Sequence, residues 1–346
     1  MQRSLLLFDL AVNRIKIITD INIPQSPIWE RKTDFVENIN SFLRRFINKL
    51  PNAIFVNLIA LINAIEIVRN INKYDIVITS NIKTAQLVAL YNKLFHLKHT
   101  KHIVLELMLD EERFTILWKL KRLFQRFVFS SVDKIFVSST GEIETYSKRL
   151  VLPRDLFRSL HFHTNIVVPI MTCNMGNYIL SAGRTARDYR TFSNAVSDLP
   201  IKVVVISDQQ NVHGICFPNN TQVLINIQYD EYLKLVKNCS FVVVPLKDLI
   251  KSTGQVVILD AMALGKPVIA TNTVGTRDYI RSGTNGILVP PNDSDSLRIA
   301  ICDLINDQLK QNAIAVNALQ FVKKECTFDK YIGKILDTAE EITQMT

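Results

Sequence analysis

Twice along this chain, short apolar segments alternate with segments whose apolar residues recur at helical spacing, a pattern with few folded solutions. In the first half the apolar runs are 74–79, 102–108 and 134–137, with helix-periodic stretches at 84–95 and 113–129 between them. The pattern resumes with apolar runs at 178–182, 203–207, 223–227, 241–245, 267–271 and 286–289. Strands separated by helices pair in parallel, with the helices crossing over the sheet faces. The expectation is two doubly wound halves joined near 166–176. The first 50 residues read less sharply, as a strand at 14–19 and a helix at 33–50. A chain of 346 residues also exceeds what one hydrophobic core usually fills. Domains over 1–170 and 171–346 follow, with the last helix free to cross back.

Composition removes several classes of function. The 5 cysteines are scattered, with no CxxC pair, so neither a disulfide framework nor a zinc site is expected, and a reducing, cytoplasmic setting fits. After Ser4 only four apolar residues run before Asp9, too short a core for a signal peptide. The apolar run 53–68 is broken by Asn57, Asn63 and Glu66 and reads as a buried helix instead of a membrane span. Residues 1–150 hold 22 Lys and Arg against 14 Asp and Glu, and the remainder is close to neutral. That basic half suits an anionic surface, and the lack of any recognition motif argues against nucleic acid. All 10 glycines lie at or after Gly141, so no Gly-rich phosphate loop exists before it.

The segment 245–271 carries the chemistry. A strand ends at Pro245, Ser252 or Thr253 is placed to cap a helix running to Leu264, and Gly265 is its left-handed stop. Free N–H groups at Thr253, Gly254, Gln255 and Val256, with the helix dipole behind them, make a site for a diphosphate. Asp260, under two turns further in, is placed for a ribose diol. By spacing alone, such a helix start serves packing as readily as it serves a ligand.

The run from Gly254 to Pro291, with Asp260-Ala-Met-Ala-Leu-Gly-Lys-Pro-Val-Ile-Ala-Thr271, Gly275-Thr-Arg-Asp278 and Gly283-Thr-Asn-Gly286, resembles the C-terminal domain of family 4 (group 1) retaining glycosyltransferases. The stretch 178–191, with Gly183-Arg184 and Arg187, is similar to the strand and loop that open that domain. The resemblance spans about 175–330 and implies an α/β GT-B fold, two Rossmann-like domains facing a central cleft. It also implies transfer of a sugar from a nucleotide-diphosphate donor, without metal or other cofactor. Arg184 and Arg187 would neutralise the diphosphate as the leaving group gains charge, and Ile227 would meet the base, with Asn226 standing where a glycine is usual. The family's two glutamates, which touch the transferred sugar and the ribose, correspond to Ser252 and Asp260. Ser252 is thereby a catalytic-site candidate, but the serine brings no carboxylate.

The acceptor belongs to the N-terminal half, where two loops at carboxyl ends of strands qualify, Ser80-Asn81 and Leu109 to Glu112. Asp110 is the candidate catalytic carboxylate, against its reading as an acidic first turn. His96, His99 and His102 receive no role. In the segment 113–129, Ile116, Leu120, Leu123 and Phe127, extended by Leu117, Phe124 and Val128, form a stripe expected to face the sheet. Lys119, Lys121, Arg122, Gln125 and Arg126, with Trp118 and Phe129, are expected outward, facing an anionic membrane. The chain therefore reads as a hexosyltransferase-type enzyme acting on a glycan or lipid-linked acceptor in surface-polysaccharide synthesis, at the cytoplasmic membrane face. A non-catalytic nucleotide-sugar-binding homologue and a nucleotide-sugar epimerase are the alternatives.

Overall fold

The computed structural model describes residues 15–23, 26–36, 52–95, 99–172 and 176–344. Two parallel six-stranded sheets organise it. The first contains β1 (Ile17–Thr19), β2 (Thr33–Phe35), β3 (Ile76–Thr79), β4 (Lys101–Val104), β5 (Lys134–Val137) and β6 (Phe157–Ser159), in the order β2-β1-β3-β4-β5-β6. The second contains β7 (Tyr178–Ala182), β8 (Lys202–Ser207), β9 (Thr221–Ile225), β10 (Val242–Val244), β11 (Val268–Thr271) and β12 (Ile287–Val289), in the order β12-β11-β10-β7-β8-β9. Strands such as Val203-Val-Val-Ile206 are apolar on both faces because helices cover both.

Each sheet reverses its winding once, between β1 and β3 in the first and between β7 and β10 in the second. At such a point the crossovers diverge to opposite faces and leave a crevice beyond the strand ends. The last helix, Phe328–Gln344, packs on the first sheet through Tyr331, Ile332, Ile335 and Leu336. Lys32–Glu340 and Arg158–Glu341 pairs hold its outer edge.

Several local readings change. The segment 33–50 opens with strand β2, because Thr33 and Phe35 pair with β1; the rest of that expected helix, from 37, lies outside the described residues. The strand expected over 102–108 ends at Val104, where the backbone leaves the sheet and turns through Glu106 at φ +52. The helix Asn52–Asn70 is seated through Ala60, Ala64 and Ile67, but only 22% of its most apolar window is buried. It is an apolar surface helix, long and apolar enough to cross a bilayer, and not the buried helix its interruptions suggest.

The largest reversal is in the helix Ile116–Phe129. Its stripe is where the spacing puts it, but it points outward, with Ile116 76% and Leu117 79% exposed. Part of the opposite face is packed: Gln125 and Phe129 are buried, and Trp118 stacks on the Arg149 guanidinium at 4.4 Å from the ring centroid, while Lys119, Lys121 and Arg126 stay exposed as expected. Of the stripe itself, Val128 is buried. Periodicity fixes which residues share a face; the neighbouring helices and Arg149 decide which face turns inward.

Candidate functional site

A cleft of about 730 Å³ opens between the two sheets at the switch point of the second. Its C-terminal wall is built by the loops after β7, β9 and β10, and its N-terminal wall by Glu106, Met108, Ser138 and Phe162. Arg184, Arg187, Ile227, Ser252, Thr253, Gly254, Gln255 and Val256 all line it. Asp260 and Asp110 do not.

The loop after β7 is shaped by one glycine. Gly183 has φ +122, and a Cβ there would lie 2.1 Å from the Arg187 guanidinium. A side chain there would have to displace that guanidinium and adopt a strained backbone. Arg187 Nε donates to the Ala182 carbonyl and Nη1 to the Thr185 carbonyl, both at 2.8 Å. The side chain is buried, burial lowers its pKa, and among the described residues no ion pair offsets its charge. A buried cation without a carboxylate is expensive unless an anion joins it. Arg187 thus holds the loop in shape and places positive charge in the cleft wall, while Arg184, one residue past Gly183, is exposed at the same wall.

Opposite this loop begins the helix Gln255–Ala263. Its N-cap is neither Ser252 nor Thr253 but Gly254, at φ +92, and no side chain caps it. The first-turn N–H groups therefore face the cleft without a side-chain acceptor, the arrangement that binds anions. Gly275 lets the following loop close in: a Cβ there would lie 2.6 Å from Ser252 Cα. Gln255 Nε2 donates to the Gly275 carbonyl at 3.2 Å.

Ser252 is tied across the cleft. Its N–H donates to Glu142 Oε1 at 2.6 Å, and its hydroxyl meets that of Ser139 at 3.0 Å. Glu142 is fully buried, also takes the N–H groups of Ser138 and Ser139 in a capping box, and has its pKa raised by that burial. The N-terminal half thus supplies a carboxylate next to the position where the family pattern expects a glutamate.

Asp260 is sealed below the wall. It is fully buried within the helix layer, where Tyr229 Oη donates to Oδ2 at 3.1 Å and Thr164 Oγ1 to Oδ1 at 3.4 Å. Burial pushes its pKa up to about 6. Tyr229, not Asp260, lines the cleft, and the Asp260 carboxylate is engaged by Tyr229 and Thr164. Ile227 lines the wall just after Asn226, whose φ of +52 explains its place where glycine is usual. Asparagine is among the non-glycine residues that best tolerate that conformation.

Asp110 is on the outer surface, paired with Lys121 at 2.9 Å, which lowers its pKa. The chain turns at Glu106 and carries Asp110 past the cleft. Ser80 and Asn81 also lie off the cleft lining, their N–H groups donating to Asp20 at 2.8 and 3.3 Å. The carboxylate that does line the N-terminal wall is Glu106, and its Oε1 accepts from Tyr331 Oη at 2.6 Å. Glu106 is held at φ +52, a conformation that is costly for a non-glycine residue and that clusters at functional sites. The sequence signal was a single acid in an otherwise apolar run, absorbed there into a strand.

Residues 177–307 match the family described as Glycosyl transferases group 1. An uncharacterized glycosyltransferase of Methanocaldococcus jannaschii is 28% identical over 156 residues, 43% of each chain. The match thus spans under half the length of that curated relative. Among solved structures, Anabaena HepE in complex with UDP superposes with a TM-score of 0.68 at 14% identity, covering 95% of this chain and 100% of that one. Sucrose-phosphate synthase from Thermosynechococcus elongatus gives 0.70 at 16% identity, covering 96% of this chain and 90% of that one. These likenesses establish the two-domain GT-B fold.

Proposed function

We propose, from the match of residues 177–307 to the group 1 glycosyltransferases, that the protein transfers a hexose, with retention and without metal, from a nucleotide-diphosphate donor. The acceptor is a hydroxyl of a glycan or lipid-linked molecule in surface-polysaccharide synthesis. The observation that carries the reading is the buried, unpaired Arg187 facing an uncapped helix N-terminus across one cleft. In this reading Arg184, Arg187 and the N–H groups from Thr253 to Val256 hold the diphosphate and stabilise its charge as the anomeric C–O bond breaks. Ile227 packs on the base. Tyr229, oriented by Asp260, takes the ribose edge that Asp260 itself does not reach.

The acceptor hydroxyl enters from the N-terminal wall, attacks on the face the phosphate leaves, and passes its proton to the departing phosphate oxygen. Glu106 is the carboxylate that orients the acceptor there, in place of Asp110. Ser252, pinned by Glu142, positions the donor loop. A nucleotide-sugar-binding homologue without turnover is the second reading, favoured by the serine at 252. A panel of nucleotide sugars, with and without lipid extract as acceptor, decides: nucleotide release that requires acceptor fits transfer, binding without release fits the homologue, and sugar conversion without release fits an epimerase. The HepE complex with UDP makes UDP-sugars the first to try.

A further inference from the structure

We infer that the helical face covering one side of the first sheet docks on an anionic lipid bilayer. The inference does not depend on sugar transfer. Three helices, Asn52–Asn70, Ile82–Phe95 and Ile116–Phe129, lie side by side in that order and pack on one another. Each leaves large apolar residues in solvent. The first exposes Ile54, Leu61 and Ile65, the second Leu94 and Phe95, and the third the stripe of Ile116, Leu117, Leu120 and Leu123. Phe114, just before the third helix, is 98% exposed. That stripe has no room to turn inward, because Trp118, Gln125, Val128 and Phe129 already fill the packed side. A soluble monomer rarely carries an apolar patch of this extent without a partner.

Charge selects the partner. The three helices together hold seven Lys and Arg (Arg69, Lys83, Lys93, Lys119, Lys121, Arg122 and Arg126) and a single carboxylate, Glu66. Asp110 and Glu112, on the preceding loop, share Lys121 and Arg122, while no salt bridge among the described residues engages Lys119 or Arg126. An apolar stripe flanked by cations is the signature of a helix lying in a membrane interface. A second copy of this chain seated on the same face by two-fold symmetry would set seven cations against seven, which disfavours it.

The placement is also informative. Residues 105–115 run from Glu106 and Met108 in the cleft wall to Thr115, the N-cap of the third helix. A bilayer on this face therefore borders the cleft mouth on the acceptor side, where a lipid-linked substrate held in that bilayer lies within reach.

The test uses the full chain with phosphatidylcholine vesicles, alone or with one third phosphatidylglycerol. Wild type is expected to pellet with the anionic vesicles at low salt and to be released as salt rises. The triple variant Leu117→Gln, Leu120→Gln, Leu123→Gln changes exposed positions only, so it should fold, and vesicle binding should fall at least about tenfold. Lys119→Glu with Arg126→Glu should lose about fivefold per cation removed. Ile299→Gln, equally exposed but on the other half, should change nothing. Wild type remaining in the supernatant with both vesicles overturns the inference, as does a triple variant that pellets like wild type. Self-association that the triple variant abolishes, without vesicle binding, assigns the face to a second copy instead. Nucleotide release with a soluble acceptor, measured in parallel, reports separately on transfer.

Discussion

The two halves of this molecule share one architecture and differ in what fixes them. In the C-terminal half the site is set by backbone: Gly183 under Arg187, Gly254 at an uncapped helix start, Gly275 against Ser252. Each is a position where a side chain would collide or strain the chain, so the sequence has little freedom and the motifs are readable. The N-terminal half has one glycine, Gly141, up to residue 170. There the cleft wall and outer face depend on which side chains turn inward, and many sequences can satisfy that. In the proposed reading, a donor site that must cradle a diphosphate with main-chain N–H groups is bound to backbone geometry, and a wall that meets an acceptor through side chains is not.

The largest test of this contrast is Glu106. Replacing it with Gln removes the one carboxylate that lines the N-terminal wall among the described residues while leaving the donor wall intact, and kcat should fall about a hundredfold through lost positioning, with nucleotide-diphosphate binding unchanged. Equal loss of donor binding would make Glu106 a structural residue tied to Tyr331, and Asp110→Asn, on the outer surface, should leave turnover unaltered. Arg184→Ala probes the other half. It should weaken binding of the donor's nucleoside diphosphate by about 1.5 to 3 kcal/mol, the worth of a charged contact to phosphate, with the nucleoside alone affected far less in titration calorimetry. Identical losses for the two would take Arg184 out of the diphosphate site.

Asp260 gives a pH test. Burial raises its pKa from 3.8 to about 6, so between those values the folded protein keeps a proton that the unfolded chain has released. Its contribution to stability is therefore full below about pH 4, declines as pH rises to about 6, and is gone above. Asp20, also raised to about 6 by burial, adds to the same decline in wild type, so the comparison must be with Asp260→Asn. That variant should gain about 2 to 3 kcal/mol relative to wild type between pH 4 and pH 7, read from denaturant melts. A difference independent of pH would show that Asp260 is ionised in the fold throughout. The smallest effect is expected at Asn226. Gly there should change stability by less than about 1 kcal/mol, since asparagine already tolerates φ +52, whereas Val should lose about 1 to 2 kcal/mol.

The sequence by itself determined the two parallel sheets, because alternating strand and helix periodicities are local and leave few ways to bury both faces of each strand. It also determined the wall of Arg184, Arg187 and Thr253 to Val256, because tight loops at glycine and a helix start are written in adjacent residues. Four things were decided only in three dimensions. Glu106 entered the cleft because the chain left β4 two residues before it. Asp260 lost the cleft because Tyr229, 31 residues away, reached its carboxylate first. Ser252 gained a carboxylate neighbour from Glu142, 110 residues earlier. And the helix Ile116–Phe129 turned its apolar stripe outward, since Trp118 found Arg149 and Phe129 found the core. Periodicity specifies a helix's two faces, but the choice between them is a competition among surfaces that meet only when the chain has folded.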